Sequence, residues 1–367
     1  MPEKAFAAVL TDPRTFEYRE YAIPEIADDD GILRVEAAGL CGTDYEQYAG
    51  HLKAPWNVRP IIPGHEIQGR IERLGDRAKA RWNVKEGDRV VLQTTIPCGS
   101  CYFCQTGRGV QCKTNLGYGM KTGVDTPPHL WGGYASHLYL HPNAVMHKAT
   151  DRTSTEVLSL YNPMANAVYW AWERGGIGIG GSVVIAGPGQ RGLLSVVVAK
   201  AAGAGLIVVT GTRADAERLR LARQLGAHAT IIVDDEDPVA RVRDLTGGEG
   251  IDVVLDVAAG SGEPILQAIE MIRPGGTIVL AGLKNHRPLE GFIPDRVVMK
   301  EIKLVGVLSS SWTSMRQSLA LVEQYKDELA ALCTHAYRIG EADTALRVLG
   351  REVVDRREAV HVHIDCR

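Results

Sequence analysis

Four of the chain's seven cysteines stand close together, at Cys98, Cys101, Cys104 and Cys112. Thiolates at this spacing can wrap one tetrahedral zinc ion, with every coordination position filled by protein and none left for a substrate. Such a closed site is structural. A second constellation lies upstream, Gly39-Leu40-Cys41-Gly42-Thr43-Asp44 followed by Pro63-Gly64-His65-Glu66. A catalytic zinc needs soft and borderline ligands with one position open, and a Cys and a His from separate loops suit that need. Each also has a plainer use, Cys41 as a small buried hydrophobe and His65 as a hydrogen-bonded turn residue. The third group is Gly187-Pro188-Gly189-Gln190-Arg191-Gly192, a GxGxxG run directly after an apolar strand and at the head of an apolar helix. In that setting the first glycine permits a tight turn, the second lets backbone approach a pyrophosphate, and the third packs helix against strand. The helix N-terminus then faces the phosphate charge.

The elements that must position these groups change character along the chain. The first part carries short strand-like runs, such as 32–35 and 89–92, broken by Gly, Pro and Asp turns, and predicts an irregular, mostly β domain. From about Leu158 strand and helix alternate, which predicts βαβ units and a parallel sheet. Six strands are expected at 182–186, 206–210, 229–233, 251–257, 277–281 and 302–307, with helices at 193–202, 215–225, 238–245 and 263–272. Gly226 and Pro274-Gly275 stand where helix stops belong. Past Leu308 the alternation fades, and the tail 309–367 is expected to return to the first domain. The second strand ends in Thr210-Gly211-Thr212-Arg213. A carboxylate there would hold the ribose 2′-hydroxyl of NAD and repel a 2′-phosphate. Here Gly211 leaves room and Arg213, unless it is simply a solvated charge, can pair with a phosphate, so NADP is favoured over NAD.

With 45% hydrophobic and 23% charged residues the chain can bury a sizeable core, and its 367 residues suggest two domains. A net charge of −3 and the lack of a long basic run argue against nucleic acid as a partner. The apolar run at residues 1–10 is too short for a signal peptide or a membrane span, so no membrane association and a cytoplasmic location are expected.

Taken in order, Gly-Leu-Cys41-Gly-Thr43-Asp44, Gly64-His65-Glu66, the four-cysteine loop and Gly187-Pro-Gly189-Gln-Arg-Gly192 resemble the zinc-containing medium-chain alcohol dehydrogenase superfamily, over essentially the whole chain. The Gly-His-Glu form of the second motif is shared with its threonine, polyol and glucose dehydrogenase branch. The resemblance implies a mostly β, GroES-like catalytic domain (1–156 with 309–367) flanking a Rossmann domain (157–308) that carries a doubly wound parallel sheet. The active site is then expected in the cleft between them. It implies Cys41 and His65 as ligands of a catalytic zinc and Glu66 as a third or exchangeable one. It further implies Asp44 as the partner that orients His65, and Thr43 as the hydroxyl that bonds the substrate oxygen. The reaction implied is hydride transfer between NAD(P) and an alcohol or ketone, in a homodimer or homotetramer.

Two positions depart from the family pattern. Where relatives offer a further acid or zinc ligand, this chain has Tyr161-Asn162-Pro163-Met164, and where many carry a relay histidine it has Glu46, with His51 a few residues later. Tryptophans in Lys53-Ala54-Pro55-Trp56-Asn57 and Pro128-His129-Leu130-Trp131 fall in regions that often line the family's pocket, and with Asn162 replacing an acid they point to a hydrophobic secondary alcohol or ketone. The alternatives are a zinc-independent NADPH-linked reductase of C=C or C=N bonds on the same fold, and a non-enzymatic NADPH-binding sensor. Retention of Cys41, His65, Glu66 and Asp44 together argues against the first, since a site freed of metal has no need of all four.

Overall fold

Parallel strands joined by helices bury both faces of their sheet, so each strand must be apolar along its length. The computed structural model, which describes residues 3–54, 57–355 and 358–367, bears this out for the central strands of residues 163–321, one of two compact units, while the last strand, at one edge, is largely exposed. Strands Ser182–Ala186, Leu206–Gly211, Ala229–Ile232, Ile251–Asp256, Ile272–Leu280 and Lys303–Gly306 form one sheet, in the spatial order third, second, first, fourth, fifth, sixth. Every pairing in it is parallel. The order reverses between the first and fourth strands, and at such a switch point the loops after the carboxyl ends of the strands leave a crevice. Helix Gln190–Ala201 follows the first strand and buries Leu193, Leu194, Val196 and Val197. Helix Ala216–Leu225 stops at Gly226, whose φ of +119° few other residues adopt. Helix Glu263–Met271 ends before the expected Pro274-Gly275 stop, because strand Ile272–Leu280 has already begun at Ile272, paired with Ile251 ahead of a register shift. The ammonium of Lys300 takes over the helix end, donating to the carbonyls of Ile269, Glu270 and Ile272.

The other unit comprises residues 1–162 and 322–367. Its main sheet runs Cys333–Arg338, His361–Asp365, Gly31–Gly39, Glu66–Leu74, Arg89–Leu92, Met146–Lys148, with His137–Leu140 also on Gly31–Gly39. Strands Lys4–Asp12 and Thr15–Ala22 form a separate hairpin. Leu10, Ile32, Leu33, Ile61, Ile62, Ile67 and Leu92 lie in one core. A polar knot crosses the sheet, where the buried Arg89 guanidinium donates to Glu36, Gln68, Thr155 and the Thr153 carbonyl.

The tail returns to this unit, though later than residue 309. Residues 309–311 stay with the nucleotide-type unit, since the Trp170 indole donates to the Ser309 carbonyl and Ser311 donates to Glu173. At the other junction 157–162 stay with the first unit, tied by the Tyr161 hydroxyl to the carbonyls of Ile67 and Leu92. The divisions therefore fall after 162 and 321, where 156 and 308 were expected. No helix among the described residues is long and apolar enough to cross a membrane.

Candidate active site

Strand Gly31–Gly39 delivers the chain to Cys41, which stands in extended conformation as the N-cap of helix Gly42–Ala49. Asp44, three residues on, closes the helix start by accepting the Cys41 N–H on Oδ2 at 2.8 Å. Its other oxygen lies 3.0 Å from His65 Nδ1. One buried carboxylate thus fixes the backbone of the cysteine and the ring of the histidine. With the Nδ1 proton given to Asp44, Nε2 of His65 is turned to Cys41 Sγ at 3.4 Å and Glu66 Oε1 at 4.0 Å. Burial works against a charged His65, but Asp44 and Cys41 outweigh it and hold its pKa well above the usual value. Such a ring surrounded by negative charge asks for a cation.

Cys41, His65 and Glu66 are all buried, and one ligand atom from each lies within 4.8 Å of the others. Thiolate, imidazole and carboxylate from three directions are the donor set of an open zinc site. The cluster assembles with no acid at position 162, where Asn162 is buried. Gly64 has a φ of +87°, and a Cβ there would stand 2.4 Å from the Tyr134 ring, so the turn before His65 accepts no side chain. Tyr134 is fully buried; burial first, then the charges of Asp44, Cys41 and Glu66, push its pKa far up. It had no spacing signal in the sequence. The Thr94 hydroxyl, equally unmarked, donates to the His65 carbonyl at 3.0 Å. Thr43 is half-buried in the first turn of the same helix. Glu46, at the position of the family's relay histidine, and His51 are neighbours, with Oε2 and Nδ1 3.7 Å apart.

The sulfurs of Cys98, Cys101, Cys104 and Cys112 also gather within 4.8 Å. The short helix Tyr102–Gln105 and the turn Gly109–Gln111 bring them round, and backbone N–H groups at Ser100 and Cys101 pull the Cys98 thiol down to about 5. Four thiolates fit a closed tetrahedral zinc.

Trp131 does not act as expected. Trp131 lies in the core between Tyr118 and Tyr139, its indole donating to the Thr126 carbonyl, so it lines no open pocket. Its ring is simply the right size for that interior. Pro55 and Trp56 lie outside the described residues.

In the other unit the glycine run has the shape its spacing predicts. Gly187 has φ +106°, and a Cβ on Gly192 would fall 1.9 Å from the Gly187 carbonyl oxygen, whereas one on Gly189 would meet nothing within 4 Å. Gly189 is the N-cap of helix Gln190–Ala201, so the open space lies where a phosphate would approach the helix end. Gln190 and Arg191 are half-buried in its first turn, and Arg191 donates to Asn166 at 2.9 Å. Gly211 is different from expectation. Its missing Cβ makes room for the Pro188 ring, 2.8 Å away, and not for a phosphate. Thr212 donates to Asp215, while Arg213 gives its N–H to Asp234 at 2.6 Å and its guanidinium to Asp235. Lys284 and Asp256, unmarked by any motif, form an ion pair at 2.8 Å at the end of the fourth strand, and Lys284 also donates to the Ala258 carbonyl.

With this geometry in view the chain can be set beside known proteins. The family description "Alcohol dehydrogenase GroES-like domain" matches residues 27–151 and "Zinc-binding dehydrogenase" matches 192–324. A probable alcohol dehydrogenase of Mycobacterium tuberculosis is 40% identical over 351 residues, 94% of each chain. The L-threonine 3-dehydrogenase of Bacillus subtilis is 32% identical over 347 residues, 94% of this chain and 92% of that one. Among solved structures, an alcohol dehydrogenase from Thermotoga maritima superposes with a TM-score of 0.87 at 28% identity, covering 99% of both chains.

Proposed function

The chain belongs to the zinc-binding dehydrogenases with an alcohol dehydrogenase GroES-like domain, and on that premise we propose which residues carry its reaction. It is a zinc- and NAD(P)-dependent oxidoreductase of alcohols and ketones. The observation that carries the reading is the buried Cys41–His65–Glu66 cluster with Asp44 behind His65. Bound zinc supplies a Lewis acid for the substrate oxygen, and a bound nicotinamide the hydride acceptor or donor. Cys41, His65 and Glu66 hold the metal, and Asp44 keeps the His65 proton on Nδ1 so that Nε2 can ligate. The Thr43 hydroxyl accepts the substrate proton in the oxidative direction, and the Glu46–His51 pair passes it to water. Cys98, Cys101, Cys104 and Cys112 hold a structural zinc. Gly187, Gly189 and Gly192, with the N–H groups of Gln190 and Arg191, seat the pyrophosphate, and the segment Gly211-Thr212-Arg213 borders the adenosine ribose.

NADP is the preferred cofactor on this reading, supported by the exposed Arg213 guanidinium and opposed by Asp235, whose carboxylate already engages it. For substrate we favour a hydrophobic secondary alcohol or ketone, now on the strength of Asn162 alone, because an amide there takes an acid away from polar substrates. Comparing kcat/KM for aliphatic secondary alcohols and for polyols decides this point. A homo-oligomer is supported by the edge strand Lys303–Gly306, which among the described residues is paired on one side only and exposes Leu304, with Val298 and Met299 exposed in the helix just before it in sequence. Seven cysteines without a disulfide suit a reducing cytoplasm.

The test is zinc content per subunit, on the native chain and on Cys41→Ala, with NADPH-linked activity alongside. About two zincs falling to one, with activity lost, is the expected result. A single zinc untouched by the substitution would transfer the chain to the metal-free C=C or C=N reductases.

A further inference from the structure

Gly39 ends the central strand Gly31–Gly39 in ordinary extended backbone, so its conformation does not call for glycine. Its surroundings do. A Cβ at this position would stand 2.7 Å from Glu66 Oε2, 3.1 Å from the Ser159 carbonyl oxygen and 3.3 Å from His361 Cε1, where ordinary contact begins at 3.4 Å. Two of these neighbours cannot give way. The Ser159 oxygen is backbone, and the His361 ring is fully buried with Nε2 2.5 Å from Ser159 Oγ. Glu66 is pinned at its own backbone, since the register of the two strands sets it directly opposite Gly39. Of the three contacts only the Glu66 carboxylate is the far end of a flexible side chain, so it is the group that a Cβ would displace.

We propose that Gly39 is a positioning residue whose bare backbone is the seat of the Glu66 carboxylate, fixing how that group meets the metal held with Cys41 and His65. This rests on the zinc reading of the cluster. Oε2 lies over Gly39 and Oε1 lies 4.0 Å from His65 Nε2, so one end of the carboxylate is placed by the strand and the other addresses the site. A methyl on residue 39 takes the seat and displaces the whole group. Zinc–oxygen bonds of about 2.0–2.2 Å tolerate about 0.2 Å of misplacement, far less than the overlap requires. The glycine two residues before the cysteine ligand therefore acts on the site through Glu66, with no contact to substrate.

The experiment is zinc affinity of the Cys41–His65–Glu66 site by competition with a chromophoric chelator, the Cys98–Cys112 zinc serving as internal reference. Gly39→Ala is expected to weaken that site by about 10–100-fold, the range for losing a group that orients a ligand. The reference zinc stays unchanged. Glu66→Asp, shorter by one methylene, withdraws the carboxylate from the seat, so adding Gly39→Ala to it should cost nothing more. An unchanged affinity in Gly39→Ala, or penalties that add in the double variant, overturns the proposal. Should Gly39→Ala fail to fold, the Glu66→Asp double variant must restore folding; if it does not, the collision belongs to Ser159 or His361 and the proposal falls. A native protein that takes up only one zinc removes the catalytic-zinc reading and this inference with it, a result distinct from normal uptake with an insensitive variant.

Discussion

Asp44→Asn is the substitution that asks most of the proposed site. The amide has the shape of the carboxylate, and its oxygen can go on accepting the Cys41 N–H now made at 2.8 Å, so the start of helix Gly42–Ala49 is kept. What changes is the atom 3.0 Å from His65 Nδ1, which turns from an acceptor into an N–H donor. Nδ1 must then accept, and the single proton of the neutral ring moves to Nε2, the atom that faces Cys41 Sγ at 3.4 Å. Zinc binding requires that proton to leave or the new hydrogen bond to break. Loss of such a ligand-orienting partner typically weakens binding by about 10–100-fold, or about 1.4–2.7 kcal/mol. The assay is a zinc titration against a competing chelator at neutral pH, with NAD(P)-linked kcat/KM in parallel and thermal unfolding of the metal-depleted protein as a control. The control should be nearly unchanged, because the cap survives. Zinc affinity within about two-fold of the native value, in a folded variant, would refute the claim that Asp44 sets the tautomer.

Asp235→Asn releases the Arg213 guanidinium from an exposed ion pair, and such pairs are worth about 0–1 kcal/mol. NADPH should therefore bind up to about five-fold more tightly with NADH unaffected, as fluorescence titration would show; equal changes for both cofactors would remove Arg213 from the 2′-phosphate site. Arg89→Met leaves the mostly buried Glu36 carboxylate without its 2.7 Å partner, which by analogy with broken buried pairs should lower stability by about 3–5 kcal/mol in chemical denaturation. A loss under about 1 kcal/mol would mean that Arg70, 2.9 Å from the same carboxylate, suffices. His361 and His363 are held neutral, their pKa values lowered by burial and, for His361, by the neighbouring His363. The unfolded chain takes up their protons first, so the stability they contribute is full above about pH 6.5 and is lost as the pH falls below it, by at most about 1.4 kcal/mol per pH unit for each ring. His363→Leu should flatten the dependence of the denaturation midpoint on pH between about 6.5 and 5, and an unaltered slope would show that His363 is not one of the groups responsible.

Half of this fold could be read in advance because a parallel sheet repeats one physical demand. Strand Ser182–Ala186 and helix Pro238–Leu245 fall where their apolar runs and flanking turns put them. The edge that shifted, Ile272, did so because a backbone partner 21 residues earlier, Ile251, recruited it to the sheet, and no local pattern carries that information. The other unit depends on such pairings throughout. Gly31–Gly39 takes neighbours from 66–74, 137–140 and 361–365, so its sheet exists only once distant segments meet. The junctions moved for the same reason, each fixed by single long-range bonds such as Tyr161 to Ile67 and Trp170 to Ser309.

The chemistry-bearing residues were legible as types, because thiol, imidazole and carboxylate announce what they can bind. Residues acting through space were not. Glycine shows why, since in sequence it states only that a Cβ is missing and says nothing of what fills the gap. At Gly189 the gap is open, which suits a phosphate; at Gly192 it is closed by the carbonyl of Gly187; at Gly39 it holds the carboxylate of Glu66. Gly211 was read as space for a 2′-phosphate, and that space belongs to the Pro188 ring. The cofactor preference has therefore lost one of its two supports, and it now turns on whether Arg213 gains more from a phosphate than from the carboxylate of Asp235. A dianionic phosphate offers bidentate acceptance and more charge than one exposed aspartate. On the proposed reading the balance then favours NADP, by a margin that the single negative charge at position 235 controls.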